Sequence, residues 1–260
     1  MTKNKSNSLY QDYINALKKS SLRENESRFV AKQLLLMHNE VIKRKSPIIL
    51  ELGVDRGQST KVFLHAIDKK SSGNLFSVDI KDCSEVSKSN TWKFIKKDST
   101  DIKGILKEAP ILEKGIDIIY VDSLHTPNHV YQEIYGWFPF LKKGGYMYFD
   151  DIDAGPYQLG MRKDNAGIEF SNRKILELIE AVFQANLNLV DLNLMRGSTG
   201  LACLKKISNK ESELQPPKFI RKRNNPFLWK LINVLFRRRS YQHSTESNES
   251  FLIDVTKYEN

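Results

Sequence analysis

A chain of 260 residues, 40% of them hydrophobic, can bury the core of one sizeable α/β domain with extensions, and its two cysteines, Cys83 and Cys203, lack metal-ligand spacing and read as reduced thiols of a cytosolic protein. The polar start MTKNKSNS carries no signal-peptide core and no apolar run reaches the roughly 18 residues of a membrane span, so a soluble intracellular protein is expected. The formal charge of +10 is concentrated in a tail: eight Lys or Arg and no acid lie between Lys218 and Arg239, which leaves only +2 elsewhere and argues against a domain that tracks a phosphate backbone.

Residues 1–45 are expected to be a helical extension. A short helix around Leu9, Tyr13 and Leu17 precedes a better one, which starts at the Ser21/Glu24 capping box and carries Val30, Leu34, Met37 and Val41 on one face. Pro47 to Leu52 is continuous in apolar residues, as a strand covered on both faces must be. It enters GVDRGQST, where Gly53 and Gly57 bracket a tight turn, and a helix runs from Ser59 to Ile67. Such a turn serves ligands in some α/β proteins and is purely structural in others.

The next strand, Asn74 to Asp79, ends in an acid about where doubly wound folds set a carboxylate against a ribose diol. A third strand, Trp92 to Lys96, leads to Asp98-Ser99, which either caps the helix through Leu106 or borders an adenine ring.

The most informative stretch is Ile116 to Asp153. A strand from Ile118 ends at Asp122, a polar turn carries His125, and Val130, Ile134, Trp137, Phe138 and Leu141 follow at helical spacing. A Gly144-Gly145 turn and a second strand then end in Asp150 and Asp151. In a right-handed strand-helix-strand unit the two strand ends open on one edge, so three carboxylates and an imidazole converge. Adjacent acids raise each other's pKa unless a cation or a proton separates them, and an all-oxygen set suits a hard ion such as Mg²⁺. The bland alternative is a structural cluster of solvated turn and cap residues. His125 is then a candidate general base.

After this unit comes IDAGPYQLGMRKDNAGIEF, too long for an ordinary connection, with Tyr157, Met161 and Arg162 as candidate substrate contacts. A helix from Asn172 to Gln184 and a hairpin of LNLVDLNLM and TGLACLKK around Arg196-Gly197-Ser198 complete the domain. Beyond Ile207 a linker with Pro216-Pro217 precedes an amphipathic helix with Asn225 as its cap and Phe227, Leu228, Leu231, Ile232 and Leu235 in one stripe. That helix either docks on its own domain or a second subunit, or lays its stripe on an anionic membrane through residues 218–239.

The run ELGVDRGQST, the acid Asp79, Asp98-Ser99, and above all VDSLHTPNHVYQEIYGWFPFLKKGGYMYFDDI resemble a class I S-adenosylmethionine-dependent methyltransferase. Within that class residues 45–206 are similar to the metal-dependent macrocin-type and cephalosporin-hydroxylase-like sugar O-methyltransferases, and more distantly to catechol O-methyltransferase. The resemblance implies a Rossmann-like doubly wound sheet, mostly parallel with an antiparallel C-terminal hairpin strand and helices on both faces. Its domain would span residues 46–207, with 208–260 a basic tail.

By the same resemblance Glu51, Gly53 and Gly57 lie along the methionine part of S-adenosylmethionine and Asp79 takes its ribose hydroxyls. Asp98 and Ser99 border the adenine, and Asp122 adjoins the cofactor. Asp122, Asp150 and Asp151 hold Mg²⁺ or another divalent ion, and His125 stands at the position of the base. Asp55 replaces the middle glycine of the usual GxGxG, and Asp150 stands where relatives often have Glu.

The implied activity is divalent-metal-assisted O-methylation of a hydroxyl on a sugar, glycan or glycosylated small molecule. The expected protein is a cytoplasmic homo-oligomer, at most peripheral at the inner membrane surface. Competing readings are an RNA methyltransferase recruited by the basic tail and a non-catalytic cofactor-binding protein. A nicotinamide-dependent oxidoreductase fits less well, because GVDRGQ lacks the GxGxxG pattern and that chemistry leaves the acids at 122, 150 and 151 without a task.

Overall fold

The computed structural model describes residues 10–15, 24–159, 162 and 165–218. The capping residue Ser21, the flanks of the first helix at Leu9 and Leu17, Met161, and the basic helix from Asn225 lie outside the described residues.

Helices α1 (residues 10–15) and α2 (Glu24–Lys43) lead into β1 (Ile48–Leu52), α3 (Gln58–Lys70), β2 (Asn74–Asp79), β3 (Trp92–Lys96) and α4 (Ile102–Glu108). Then follow β4 (Ile116–Val121), α5 (Pro127–Trp137), β5 (Leu141–Asp150), the single turn α6 (Gly155–Gln158), α7 (Ala166–Ala185), β6 (Val190–Met195) and β7 (Leu201–Lys206). They form one seven-stranded sheet in the order β3-β2-β1-β4-β5-β7-β6. Strands β1 to β5 run parallel, while β7 is antiparallel to both β5 and β6. The order reverses between β1 and β4, which opens a crevice at their carboxyl ends.

Strand alternation sends side chains to two cores. Leu50, Leu52, Phe76, Val78, Ile119 and Val121 pack with Ile105, Ile134, Trp137 and Ile179 from α4, α5 and α7. Ile49, Leu75, Ile118 and Tyr120 pack instead with Leu34, Met37 and Val41 of α2 and Phe63 and Ile67 of α3. Each fully buried aliphatic contributes about 1.5–3 kcal/mol, which is why continuous apolar runs rather than alternating ones mark these strands. Cys83 and Cys203 are free and buried. No helix among the described residues is long and apolar enough to cross a membrane.

Two expectations are corrected. Gly144-Gly145 makes no turn ahead of a separate strand. β5 is continuous from Leu141, and the slip is absorbed as an irregularity in which Ile116 pairs Leu141 while Ile118 pairs Tyr146, with Gly144 at φ 77°. Helix α7 starts six residues before the expected Asn172, because the Asn165 side chain accepts from Ile168 N and caps it. Polar and glycine residues in its first turn mask the helical period there.

Candidate active site

The crevice floor is built by Glu51. It is fully buried on β1, accepting from Ser59 Oγ at 2.6 Å, Thr60 Oγ1 at 2.8 Å and Ser77 Oγ at 2.5 Å. Burial pushes its carboxyl up to about 7, and the three hydroxyls only partly offset this. Its oxygens are thus committed to fastening the first turn of α3 to β1 and β2, beneath the glycine turn.

In that turn Gly53 (φ 98°) donates from N to Val78 O at 2.9 Å, and a Cβ on it would stand 1.9 Å from Asp122 O. Only glycine allows the turn to lie against the end of β4. Gly57 (φ 72°) precedes α3, and Asp55 adopts φ 44°, so this non-glycine takes the left-handed conformation at the position of the missing middle glycine. Asp79 Oδ2 accepts from Val54 N at 2.9 Å and Asp55 N at 3.3 Å, and Oδ1 from Lys81 N at 2.8 Å. Burial raises its carboxyl, but these N–H groups outweigh it and hold Asp79 below the ordinary range, ionised and with lone pairs to spare.

At the end of β3 Asp98 closes a small turn, accepting from Thr100 N at 2.8 Å and Thr100 Oγ1 at 2.6 Å. The cap of α4 is Asp101, which accepts from Gly104 N at 3.0 Å, so neither Asp98 nor Ser99 is the capping residue. Buried Ser99 lies 2.9 Å through Oγ from His129 Nε2, and its carbonyl accepts from Trp137 Nε1 at 2.9 Å. His129 Nε2 stands 3.5 Å from Glu133 Oε1, which also accepts from Ser123 Oγ at 2.6 Å. This link between the β3 and β4 turns escaped sequence reading, because Glu133 falls on the apolar face of α5, where a buried acid carries no periodic signal.

The predicted convergence at the ends of β4 and β5 is present. The side chains of His125 and Asp122 are 32% and 34% exposed. His125 Nε2 stands 3.2 Å from Asp122 Oδ1 and 3.7 Å from Asp151 Oδ2, yet this shielded nitrogen has no aligned hydrogen-bond partner. Burial would lower the imidazole pKa, but Asp122, Asp151 and Asp150 together push it up to about 9. Asp150 is driven up to about 8, first by burial and then by the charges of Asp122 and Asp151. Asp122 is raised by burial, with His125 opposing. Between Asp122 and Asp150 sits the hydroxyl of Tyr120, a strand residue that the sequence pattern does not single out. Asp151 is a further left-handed non-glycine, at φ 55°.

Asp153, three residues past the strand, ties this edge to the β6–β7 turn. Its N donates to Thr199 O at 2.6 Å and its carboxylate accepts from Gly155 N at 2.9 Å and Gly197 N at 3.2 Å. Ser171 of α7 donates to the His125 carbonyl. Of the candidate substrate contacts, Arg162 is engaged internally, with Glu26 Oε1 at 2.9 Å and Ser198 Oγ at 3.0 Å, and its guanidinium carbon lies 6.0 Å from the Tyr157 ring centre.

The acid cluster fits a hard divalent cation in its chemistry: carboxylate oxygens crowded enough to raise one another's pKa, beside an unpartnered imidazole nitrogen. Among the described residues no three His, Cys, Asp or Glu side chains already stand in closed coordination geometry.

A sequence model of the methyltransferase-domain family matches residues 50–152. No curated protein matches the chain in sequence. Among solved structures the chain is similar to MycE methyltransferase from the mycinamycin biosynthetic pathway in complex with Mg and SAH, at 20% identity over 69% of this chain and 50% of that one, with a TM-score of 0.49. It therefore spans about half of that protein's length. It is also similar to a Staphylococcus aureus protein provisionally assigned as a caffeoyl-CoA O-methyltransferase, at 17% identity over 78% and 98% of the two chains and a TM-score of 0.52. SAH-bound PaMTH1 of Podospora anserina gives 17%, 76%, 87% and 0.50 in the same order. At 17% identity, the Staphylococcus aureus and Podospora anserina structures show a likeness of fold alone.

Proposed function

We propose that this class I S-adenosylmethionine-dependent methyltransferase moves the sulfonium methyl group onto a hydroxyl oxygen of a sugar, glycan or glycosylated small molecule, assisted by a divalent cation such as Mg²⁺. The observation that carries the reading is His125 set 3.2 Å from Asp122 and 3.7 Å from Asp151, at the mouth of the crevice lined by the glycine turn. The sugar hydroxyl rests on the resemblance of VDSLH and FDDI to macrocin-type enzymes.

The chain's residues divide the work. The backbone of the Gly53 turn leaves room for the methionine part of the cofactor, Asp79 offers its spare lone pairs to the ribose diol, and Asp98 with Ser99 borders the base. His125 accepts the proton of the attacking hydroxyl, with the Asp122 and Asp151 carboxylates beside its Nε2. At about 9 that imidazole is protonated near neutral pH, so the base role requires its carboxylate neighbours to be offset. A divalent ion held by Asp122, Asp150 and Asp151 would supply that positive charge and increase the acidity of the acceptor hydroxyl. The sulfonium is already an excellent leaving group, so the site needs no general acid, and what remains is alignment of oxygen, methyl and sulfur.

The test is methyl transfer from labelled cofactor to a panel of glycans and glycosylated small molecules, with Mg²⁺ and with EDTA. Transfer abolished by EDTA and restored by Mg²⁺ is the expected result, and undiminished transfer under chelation would remove the cation from the scheme. His125→Ala is expected to lose about 10²–10⁴-fold in turnover while keeping cofactor affinity. Unchanged turnover would remove His125 as the base.

A further inference from the structure

Tyr120 on β4 is two residues before Asp122, which directly follows the strand and continues its pairing with β1 through Asp122 N to Leu52 O, so both side chains leave the same face of the sheet. The parallel register Val121 to Phe149 brings Asp150 alongside on that face. The Tyr120 ring is buried and meets Phe63 of α3 edge-on, with centroids 5.9 Å apart at 68°. Its hydroxyl donates to Asp150 Oδ2 at 2.8 Å and lies 3.4 Å from Asp122 Oδ2. The other oxygen of Asp150 accepts from Asp151 N at 2.8 Å. Both oxygens of Asp150 are thereby oriented by donors of this chain, and each keeps a second lone pair.

We infer that Tyr120 is a positioning residue for the cation site, its hydroxyl locking the Asp150 carboxylate against Asp122 so that free lone pairs of both acids face the same crevice. The inference rests on the cation reading above and extends it to a residue outside the acid and imidazole set. A phenol is suited to this place for two reasons. Its ring is seated in the apolar layer against Phe63, which fixes the hydroxyl without help from solvent. Its single hydrogen goes to one carboxylate, so it separates two acids without adding a charge that would repel a cation. Outer partners of metal-binding carboxylates set their orientation, and losing one typically costs about 10–100-fold in metal affinity. A phenylalanine at this position would leave Asp150 Oδ2 buried without that donor and free to turn.

The experiment is Mn²⁺ binding to the full chain, followed by the loss of the free-ion paramagnetic resonance signal, for the unaltered protein, Tyr120→Phe and Phe63→Leu. S-adenosylhomocysteine affinity and thermal midpoint are measured on the same samples. Tyr120→Phe is expected to weaken Mn²⁺ binding about 10–100-fold with S-adenosylhomocysteine affinity within about 2-fold. Phe63→Leu keeps the hydroxyl and is expected to lose less than about 3-fold for Mn²⁺, on the same scale. Equal Mn²⁺ affinity in Tyr120→Phe and the unaltered protein overturns the inference and leaves the cation reading intact. A larger loss in Phe63→Leu than in Tyr120→Phe, or parallel loss of both ligands in Tyr120→Phe, assigns Tyr120 to packing and also overturns it. Absence of Mn²⁺ binding in the unaltered protein overturns the cation reading together with the inference.

Discussion

Glu51 shows how a single residue couples folding to the site. In the folded chain its carboxyl is raised from the ordinary 4.5 to about 7, with burial as the dominant cause. Between those values the folded state holds a proton that the unfolded state has released. The contribution is therefore fully present below about pH 4.5 and is lost as pH rises through about 7. Glu51→Gln cannot titrate and should show a shallower fall in urea midpoint between about pH 4.5 and 7 than the unaltered protein. Identical slopes would mean that other groups carry the dependence. The acid at this position was legible in ELGVDRGQST, but its partners were not: Ser77 and Thr60 are separated from it by 26 and 9 residues and meet it only once β1, β2 and α3 pack.

At the scale of elements, the strand-end turns carry the chemistry because the parallel strands deliver them to one edge. The turn after β1 touches the turn after β4, and Gly53 is the point of contact. Gly53→Ala combines positive φ with a Cβ 1.9 Å from the Asp122 carbonyl oxygen, so a loss of more than about 2 kcal/mol in unfolding free energy is expected. Gly144→Ala is the contrast: φ is 77° there but no atom lies within 4 Å of the added Cβ, so the cost should be only about 1–2 kcal/mol. Equal losses in denaturant titrations would show that backbone conformation, and not the close approach, dominates at Gly53. Sequence periodicity placed most strands within two residues of their observed ends, and for β1 and β2 the reason is near-complete burial, which leaves a largely apolar run. It misplaced the start of α7, where a capping asparagine and a first turn of Ala166, Gly167, Ile168 and Glu169 give no such signature.

For the whole molecule, the described residues close one sheet with a core on each face, and the segment with most of the net positive charge begins only after it. The family match at 50–152 lies entirely within that sheet unit. We expect removal of residues 219–260 to leave S-adenosylmethionine affinity within about 2-fold by calorimetry, since the turns that would hold the cofactor lie at the ends of β1, β2 and β3. If the basic segment docks on anionic lipid, flotation with phosphatidylserine liposomes should be lost in the same deletion and should weaken at high salt in the full chain. Undiminished flotation after deletion would rule out that role.

The sequence by itself determined the alternation of strands and helices, the glycine turn, and the acids at strand ends, because local apolar runs and punctuation by glycine and aspartate act over a few residues. Chain order also implied that the acids at 122, 150 and 151 gather near His125, and tertiary structure alone decided the further contacts. The reversal of strand order between β1 and β4 brings Gly53 onto Asp122, the β4–β5 register puts Tyr120 between two carboxylates, and α7 reaches the His125 backbone through Ser171. These contacts join residues far apart along the chain, and nothing in a local pattern encodes a partner that only chain packing supplies.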